Sequence, residues 1–87
     1  MRVTRFYTED RNLYSRALFD YLDSVLQGYT TYSCTGRWNG EREQSIVIEV
    51  IEDTFSIEAS SIAKGIKKVN KQKAVLFTQQ EVIANLV

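Results

Sequence analysis

The sequence predicts an α+β fold in which two helices cover one face of a four-stranded antiparallel sheet. Two observations predict this fold. Segments rich in β-branched and aromatic residues alternate with two amphipathic segments of helical period, in the order β, α, β, β, α, β. The dipeptide Asn39-Gly40 separates the second and third β-rich segments, where it predicts a tight hairpin.

The first two predicted elements are a strand and a helix. Residues 2–8 are rich in Val, Thr, Phe and Tyr, which is typical of a strand. Thr8, Glu9 and Asp10 are expected to cap the helix that follows, and Gly28 is expected to end it. The apolar side chains of this helix recur at helical spacing: Leu13, Ala17, Leu18, Tyr21, Leu22, Val25 and Leu26.

The next two predicted elements are the strands of the hairpin. Residues 29–38 contain no good helix formers, and their alternation places Tyr32, Cys34 and Trp38 on one side. Residues 41–44 extend the hairpin as a polar arm, and residues 45–51 form an apolar strand at the centre of the sheet. Alternation on this strand places two sets of side chains on opposite faces of the sheet. One set is Ile46, Ile48 and Val50, and the other is Val47, Glu49 and Ile51.

A second helix and a last strand complete the pattern of a ferredoxin-like βαββαβ sandwich. Asp53 and Thr54 are expected to cap this helix, and Gly65 within it indicates close packing against a neighbour or a frayed helix. Residues 73–78 predict a short buried strand. Residues 79–87 fit either an extra strand or a short helix, and their apolar side chains indicate a subunit contact. The apolar stripe of the second helix consists of Phe55, Ala59, Ile62, Ile66 and Val69.

Length, charge and cysteine content limit the class of protein. Eighty-seven residues suit one domain, residues 1–87. Eleven basic and eleven acidic residues cancel, which disfavours binding to nucleic acid or a membrane surface and favours self-association. The single cysteine, Cys34, excludes an internal disulfide, and no apolar run is long enough to span a bilayer. A cytoplasmic protein is therefore expected.

The hairpin carries a resemblance to a known group of proteins. Residues 35–40, Thr-Gly-Arg-Trp-Asn-Gly, followed by Glu43, Ser45 and an apolar strand, resemble the central hairpin of PII-like proteins, notably the CutA family. Trp38 and Gly40 match the turn, and Ser45 lies near a position usually taken by an acid or serine. The resemblance implies a trimer whose sheets pack around a central axis, with ligands or ions bound between subunits near the hairpin base.

This chain departs from the resemblance in two ways. It has no histidine and no cysteine cluster for a metal, and its hairpin is shorter than the signalling loop of the nitrogen regulators. The absence of histidine also excludes the ordinary catalytic triads. Cys34 is interpreted as a small buried apolar residue rather than a nucleophile. We therefore expect no enzyme activity, no cofactor and no metal site.

The acidic residues of the second half have a simple interpretation. They lack the spacing of a calcium loop, and a solvated sheet edge followed by a helix N-terminus accounts for them. They are Glu41, Glu43, Glu49, Glu52, Asp53 and Glu58.

Two groups of cationic residues are the candidate ligand-binding residues. The first group shares one side of the second helix and consists of Lys64, Lys67, Lys68 and Lys71. It could bind phosphate oxygens, or it could be an ordinary solvated face of the helix. The second group lies at the hairpin, where a guanidinium and an indole could hold a phosphate and stack on a base. Trp38 there could instead anchor the core or a subunit interface. The second group consists of Arg37, Trp38 and Arg42.

These observations lead to three functional hypotheses. The first is a non-enzymatic trimer or dimer that senses or sequesters a small anionic, nucleotide-like ligand, or docks on a protein partner. The second is a small inhibitor or adaptor, of phage or mobile-element origin, that binds a host protein. The third is nucleic-acid binding on the sheet, which the zero net charge disfavours. It would use the rings of Tyr7, Tyr29, Tyr32 and Phe77.

Overall fold

A computed structural model describes residues 1–10, 15–53 and 57–87. Four antiparallel strands form one sheet in the order β2-β3-β1-β4. Both helices contribute to a single core on one face of this sheet, which confirms the predicted ferredoxin-like α+β fold. The elements are β1 (Arg2–Glu9), α1 (Ser15–Val25), β2 (Thr30–Trp38), β3 (Glu41–Glu52), α2 (Ala59–Val69) and β4 (Leu76–Glu81).

The core lies between the helices and the two central strands. Phe6 of β1 pairs with Ile48 of β3, and both are fully buried. Because side chains alternate along a strand, Ile46 and Val50 share the face of Ile48, as predicted. The helices cover this face with their apolar stripes, from Leu18, Leu22, Ile62 and Ile66.

The two helices approach closely at Gly65. A Cβ atom on Gly65 would lie 1.9 Å from the hydroxyl oxygen of Tyr21, so this position has no room for a side chain unless Tyr21 moves. Burial in this contact raises the pKa of Tyr21. Of the two expectations for Gly65, close packing is therefore correct.

The hairpin between β2 and β3 has the predicted turn. Asn39 and Gly40 have φ angles of 51° and 79°, as a type I′ turn requires, and Trp38 pairs with Glu41 across it. The polar arm, residues 41–44, belongs to β3 and pairs with β2; on its other side only Gln44, at its base, accepts a hydrogen bond from the Asp10 N–H, because β1 reaches only as far as Ser45. The hairpin therefore projects beyond the rest of the sheet.

Four of the predicted helix-capping residues do not cap a helix, and the cap expected at Asp10 is not tested, because residues 11–14 lie outside the described residues. Thr8 and Glu9 lie inside β1, where β-branched neighbours favour continuation of the strand. Asp53 lies six residues before α2, whose N-cap is Glu58 and has no side-chain capping bond. Gly28 lies three residues beyond the end of α1. The predicted roles of Leu13, Thr54 and Phe55 fall outside the described residues.

The last strand differs from its prediction. β4 begins at Leu76 rather than at residue 73, and it is an edge strand paired only with β1. Leu76 is 63% exposed, so the prediction that residues 73–78 form a buried strand is wrong at this position. Residues 82–87 form neither helix nor strand, although the Val82 N–H donates to the Met1 carbonyl. Within the described ranges, no helix has the length and apolar character needed to cross a membrane.

Candidate functional site

The C-terminal end of α2 carries most of the predicted lysines and ends in a defined cap. The Gln72 N–H donates to the Lys67 carbonyl over 3.0 Å, and the Lys71 N–H donates to the Lys68 carbonyl over 3.3 Å. Lys71 has φ of 52°, in the left-handed region that favours glycine. This pair of bonds is the Schellman motif, which ends the helix sharply after Val69.

Asn70 attaches this helix end to the sheet. It is 1% exposed, and its Nδ2 lies 2.8 Å from the Thr8 hydroxyl, the Glu9 carbonyl oxygen and Gln72 Oε1. Gln72 Oε1 also accepts hydrogen bonds from the Thr8 hydroxyl and the Glu9 N–H. The lysine-bearing end of α2 is therefore held against the end of β1 by a buried network of uncharged side chains and backbone groups.

A groove between α2 and β4 brings three lysines together. We call it the lysine groove; its volume is about 260 Å³. Lys64 and Lys67 border it from the helix, and Lys73 borders it from the connection to β4. No described carboxylate lies within 4 Å of these three ammonium groups. The remaining lining residues are Ser60, Ala63, Ala74, Val75 and Phe77.

The lysine groove differs from the predicted lysine set in two respects. Lys68 and Lys71 do not border it, whereas Lys73 does although it was not among the candidates. The sequence did indicate that Lys73 belongs to the same cationic stretch, because residues 64–73 include five lysines and no acidic residue. Helical spacing could not reveal it, since Lys73 lies beyond the end of the helix.

The hairpin residues divide between the two faces of the sheet. Arg37 pairs with Arg42, and alternation from Ile46 places this arginine pair on the helix-covered side. Trp38 faces the opposite side and is 75% exposed. The structure therefore does not bring Arg37 and Trp38 together on one face of a single chain. Two like charges directly opposite each other are destabilising, so the arginine pair would be stabilised by an anion.

The two cationic groups lie at opposite edges of the sheet. The arginine pair is on the β2–β3 hairpin, whereas α2 packs against β1 and β4. The outer strands β2 and β4 are three strand spacings apart, or about 14 Å. The predicted ligand-binding residues thus do not form one site within one chain.

The face of the sheet opposite the helices carries a central polar group. Arg5 donates to Glu49 over 2.9 Å and to Gln80 over 2.8 Å. The hydrogen bond to Glu49 raises the pKa of Arg5. We call this surface the open face. Cys34 lies on it, partly exposed on β2 rather than in the core, which corrects its interpretation as a buried residue.

The open face offers only some of the rings required for nucleic-acid binding. Tyr7 and Tyr32 lie on this face, on either side of Val47. Phe77 instead packs against Phe6 in the core, with ring centroids 5.9 Å apart. Tyr29 precedes β2. Two of the four predicted rings are therefore positioned for stacking on this surface.

A larger cavity lies at the other end of the sheet, and we call it the slot. Its volume is about 670 Å³, and it lies between the end of α1 and the end of β3. Tyr29 borders it and donates to Asp23 over 2.6 Å; burial, with that hydrogen bond, raises the pKa of Tyr29 to about 12. Glu52 also borders it, paired with Arg2 and accepting a hydrogen bond from the Ile57 N–H.

Two acidic residues that border the slot are paired with arginines. No group of three or more potential metal ligands occurs in residues 1–10, 15–53 and 57–87. Glu49 and Glu52 are engaged by Arg5 and Arg2, respectively. Their negative charge is thus already compensated within the chain.

No protein-family model matches this chain, and no curated protein matches its sequence. Solved structures do share its fold. A DUF3240 family protein from Shewanella baltica has a TM-score of 0.69 at 11% identity, covering 99% of this chain and 93% of its own. A PII-like protein from Thiomonas intermedia, bound to ADP, AMP and bicarbonate, has a TM-score of 0.62 at 12% identity, with coverage of 99% and 94%.

Two further similar structures have different functions. The periplasmic divalent cation tolerance protein CutA from Archaeoglobus fulgidus has a TM-score of 0.60 at 11% identity, covering 99% of this chain and 88% of its own. A phage SAM lyase has a TM-score of 0.67 at 15% identity, with coverage of 91% and 78%. One fold thus serves an enzyme and proteins named for other roles, so it does not decide function here. The chain has the fold of PII-like and CutA proteins, as its hairpin and element order predicted.

Proposed function

We propose that this protein is a self-associating module that binds a small anionic, nucleotide-like ligand, without catalysing a reaction. The lysine groove carries this proposal. Lys64, Lys67 and Lys73 border one small cavity, and no described carboxylate neutralises them. Three ammonium groups around one cavity match the charge of a phosphate group, and hydrogen bonds between charged groups are the stronger kind.

The apolar part of the groove suits the rest of such a ligand. Ala63, Val75 and Phe77 lie beside the lysines, so a ring or sugar can contact carbon atoms while its phosphates contact ammonium groups. Asn70 fixes the nearby end of α2 and so limits the motion of Lys67 relative to the sheet. A prepositioned site loses less conformational entropy when the ligand binds.

Self-association would bring the arginine pair to the groove. β2 and β4 are open edge strands that run antiparallel to each other, so β2 of one copy can pair with β4 of the next while the helices stay on the same side. The hairpin and the start of β4 lie at the same end of the sheet. Arg37 and Arg42 of one copy would then approach Lys73 of its neighbour.

The direct test is binding of ADP, measured by isothermal titration calorimetry at low salt. Lys64→Glu and Lys67→Glu should each weaken binding by about tenfold or more, the expected effect of losing a charged hydrogen bond. Lys68→Glu is the matched control, because it makes the same charge change on the same helix outside the groove. Equal losses in all three variants, or no binding by the unaltered protein, would reject the groove as the site.

Native mass spectrometry of gently purified protein tests the assembly and the retained ligand together. We expect a trimer or dimer with an added mass of a few hundred daltons. Arg42→Ala should weaken ADP binding in the assembled protein, whereas Trp38→Ala should leave it unchanged, because Trp38 lies on the other face of the hairpin. A ligand-free monomer at all concentrations would contradict the proposal.

One observation favours a second candidate, an inhibitor or adaptor that binds another protein. Trp38 is 75% exposed on a hairpin that projects beyond the sheet. An exposed tryptophan on a projecting hairpin is suited to fill a pocket on a partner, since tryptophan is enriched among residues that dominate binding energy. This candidate predicts that a host protein is captured by the unaltered chain and lost with Trp38→Ala, while Lys67→Glu has no effect.

A further inference from the structure

One end of the lysine groove is cationic. α2 begins at the end of the sheet that carries Arg2, whose guanidinium donates to a carbonyl shortly before the helix, and it ends where Asn70 bonds to Glu9. β4 runs the opposite way, because its last residues pair with the start of β1. Lys67, near the end of α2, and Lys73, before the start of β4, therefore lie at the same end of the groove. We expect the phosphates of a ligand at this end.

The other end of the groove consists mainly of carbon atoms. Ser60 lies seven residues before Lys67 in α2, which is about 10 Å along the helix axis. Phe77 lies four residues after Lys73, so it is displaced from the cationic end in the same direction. A ligand whose phosphates lie at the cationic end therefore places its sugar and base against Ser60, Ala63 and Phe77.

The side chains of the groove offer many hydrogen-bond donors and one acceptor. A lysine ammonium has three donors and no acceptor, which matches phosphate oxygens, because ionised phosphates accept. Among the described residues that line the groove, only Ser60 has a side-chain acceptor. The carbonyl of Ala74, another lining residue, already accepts from the Gln72 amide over 3.4 Å. The groove is therefore equipped to bind phosphates, and it has little with which to read the edge of a base.

Bases are told apart by the pattern of donors and acceptors along their edges. Adenine has an amino donor where guanine has a carbonyl acceptor, and the hydroxyl of Ser60 can bond to either, because it both donates and accepts. The carbon atoms of Ala63 and Phe77 can contact the ring face that every base has. We propose that the lysine groove recognises the diphosphate chain and not the base, so that it takes nucleoside diphosphates of any base; this deepens the proposed function and rests on it.

A series of ligands tests this inference by isothermal titration calorimetry at low salt. ADP and GDP should have dissociation constants within about threefold of each other, and so should CDP and UDP. Comparison within each pair removes the effect of ring size. AMP should bind about tenfold more weakly than ADP, because it lacks one of the two phosphates that the ammonium groups bind. A tenfold preference for ADP over GDP, or equal binding of AMP and ADP, would overturn the inference.

Two variants locate the recognition on the groove. Lys73→Gln should weaken binding of all four diphosphates by the same factor, and Ser60→Ala should leave the ratio of ADP to GDP binding unchanged. Ser61→Ala is the matched control for Ser60→Ala, because Ser61 is the next residue of the same helix, is exposed and does not border the groove. A Ser60→Ala protein that loses ADP binding and keeps GDP binding would show that the base is read.

The outcomes separate this inference from the proposed function. If ADP binds in the groove and GDP does not, the protein is still a binder of an anionic, nucleotide-like ligand, and only the indifference to the base is wrong. If none of the four diphosphates binds, the proposed function fails and this inference fails with it.

Discussion

The two ends of α2 are attached to the sheet by different means. At the C-terminal end, the amide of Asn70 is buried and bonds to uncharged groups of β1. At the other end, the N-cap residue Glu58 makes no side-chain capping bond, and the attachment depends on Glu52, which accepts from the Ile57 N–H and pairs with Arg2. The end that carries the lysines is thus held by uncharged bonds, and the end beside the slot is held by charges.

The largest expected effect is loss of the uncharged attachment. Asn70→Ala removes the amide donor and leaves the Glu9 carbonyl and the Thr8 hydroxyl with fewer partners, which should lower the free energy of unfolding by about 3 kcal/mol. Urea denaturation measures this loss. Asn85→Ala is the matched control, because Asn85 is exposed and its replacement should change stability by less than about 0.5 kcal/mol. Similar values for both variants would show that the buried amide has no special role.

The charged attachment should have a smaller and salt-dependent effect. Glu52→Gln breaks the pair with Arg2 and should cost about 2 kcal/mol at low salt, because both side chains are largely buried. In 1 M NaCl, where the Debye length is about 3 Å, this cost should decrease only in part, because a largely buried pair is screened less than an exposed one, while the cost of Asn70→Ala should stay the same. Urea denaturation at both salt concentrations makes the comparison. An equal salt response of the two variants would contradict the assignment of charged and uncharged ends.

A third variant should increase stability. Lys71 occupies the left-handed position of the Schellman motif, where an L-residue other than glycine is strained by about 1 kcal/mol. Lys71→Gly should therefore raise the free energy of unfolding by about 0.5 kcal/mol, after the greater chain entropy of glycine in the unfolded state is subtracted. Thermal denaturation detects this as a higher Tm, and Lys68→Gly, inside the helix, should lower Tm instead. ADP binding should persist in Lys71→Gly, since Lys71 does not border the groove.

Much of the fold followed from periodicity, because the core faces of the strands and helices repeat at fixed spacing. Ile46, Ile48 and Val50 face the helices as alternation predicts, and Asn39-Gly40 forms the turn that it indicates. The position of β4 did not follow. Leu76 looks like a core residue by type alone, and only the strand order shows that it lies on an exposed edge.

The candidate site was harder to predict from the sequence than the fold, for a related reason. Helical spacing shows which lysines share a side of α2. It cannot show how far these lysines lie from the hairpin across the sheet, or that the chain after α2 places Lys73 beside Lys64 and Lys67. The role of Asn70 was also hidden, because a buried amide has the same sequence appearance as a turn asparagine. The distance to the hairpin, the position of Lys73 and the burial of Asn70 all depend on tertiary contacts, which local sequence patterns do not encode.

The smallest expected effect concerns the slot end, where the partly exposed Tyr29 hydroxyl is screened by solvent, and it appears only at high pH. Tyr29 has a pKa raised from 10 to about 12, because burial and its hydrogen bond to Asp23 favour the protonated hydroxyl. A raised pKa in the folded state stabilises the fold fully below pH 10, and this contribution is lost as pH rises from 10 to 12. Tyr29→Phe cannot ionise, so the stability difference between the two proteins should shrink across this interval. Lysines lose charge over the same range in both proteins, which is why the difference in urea midpoint is measured rather than either midpoint alone. A difference that stays constant from pH 8 to pH 12 would show that the hydroxyl ionises equally in the folded and unfolded chains.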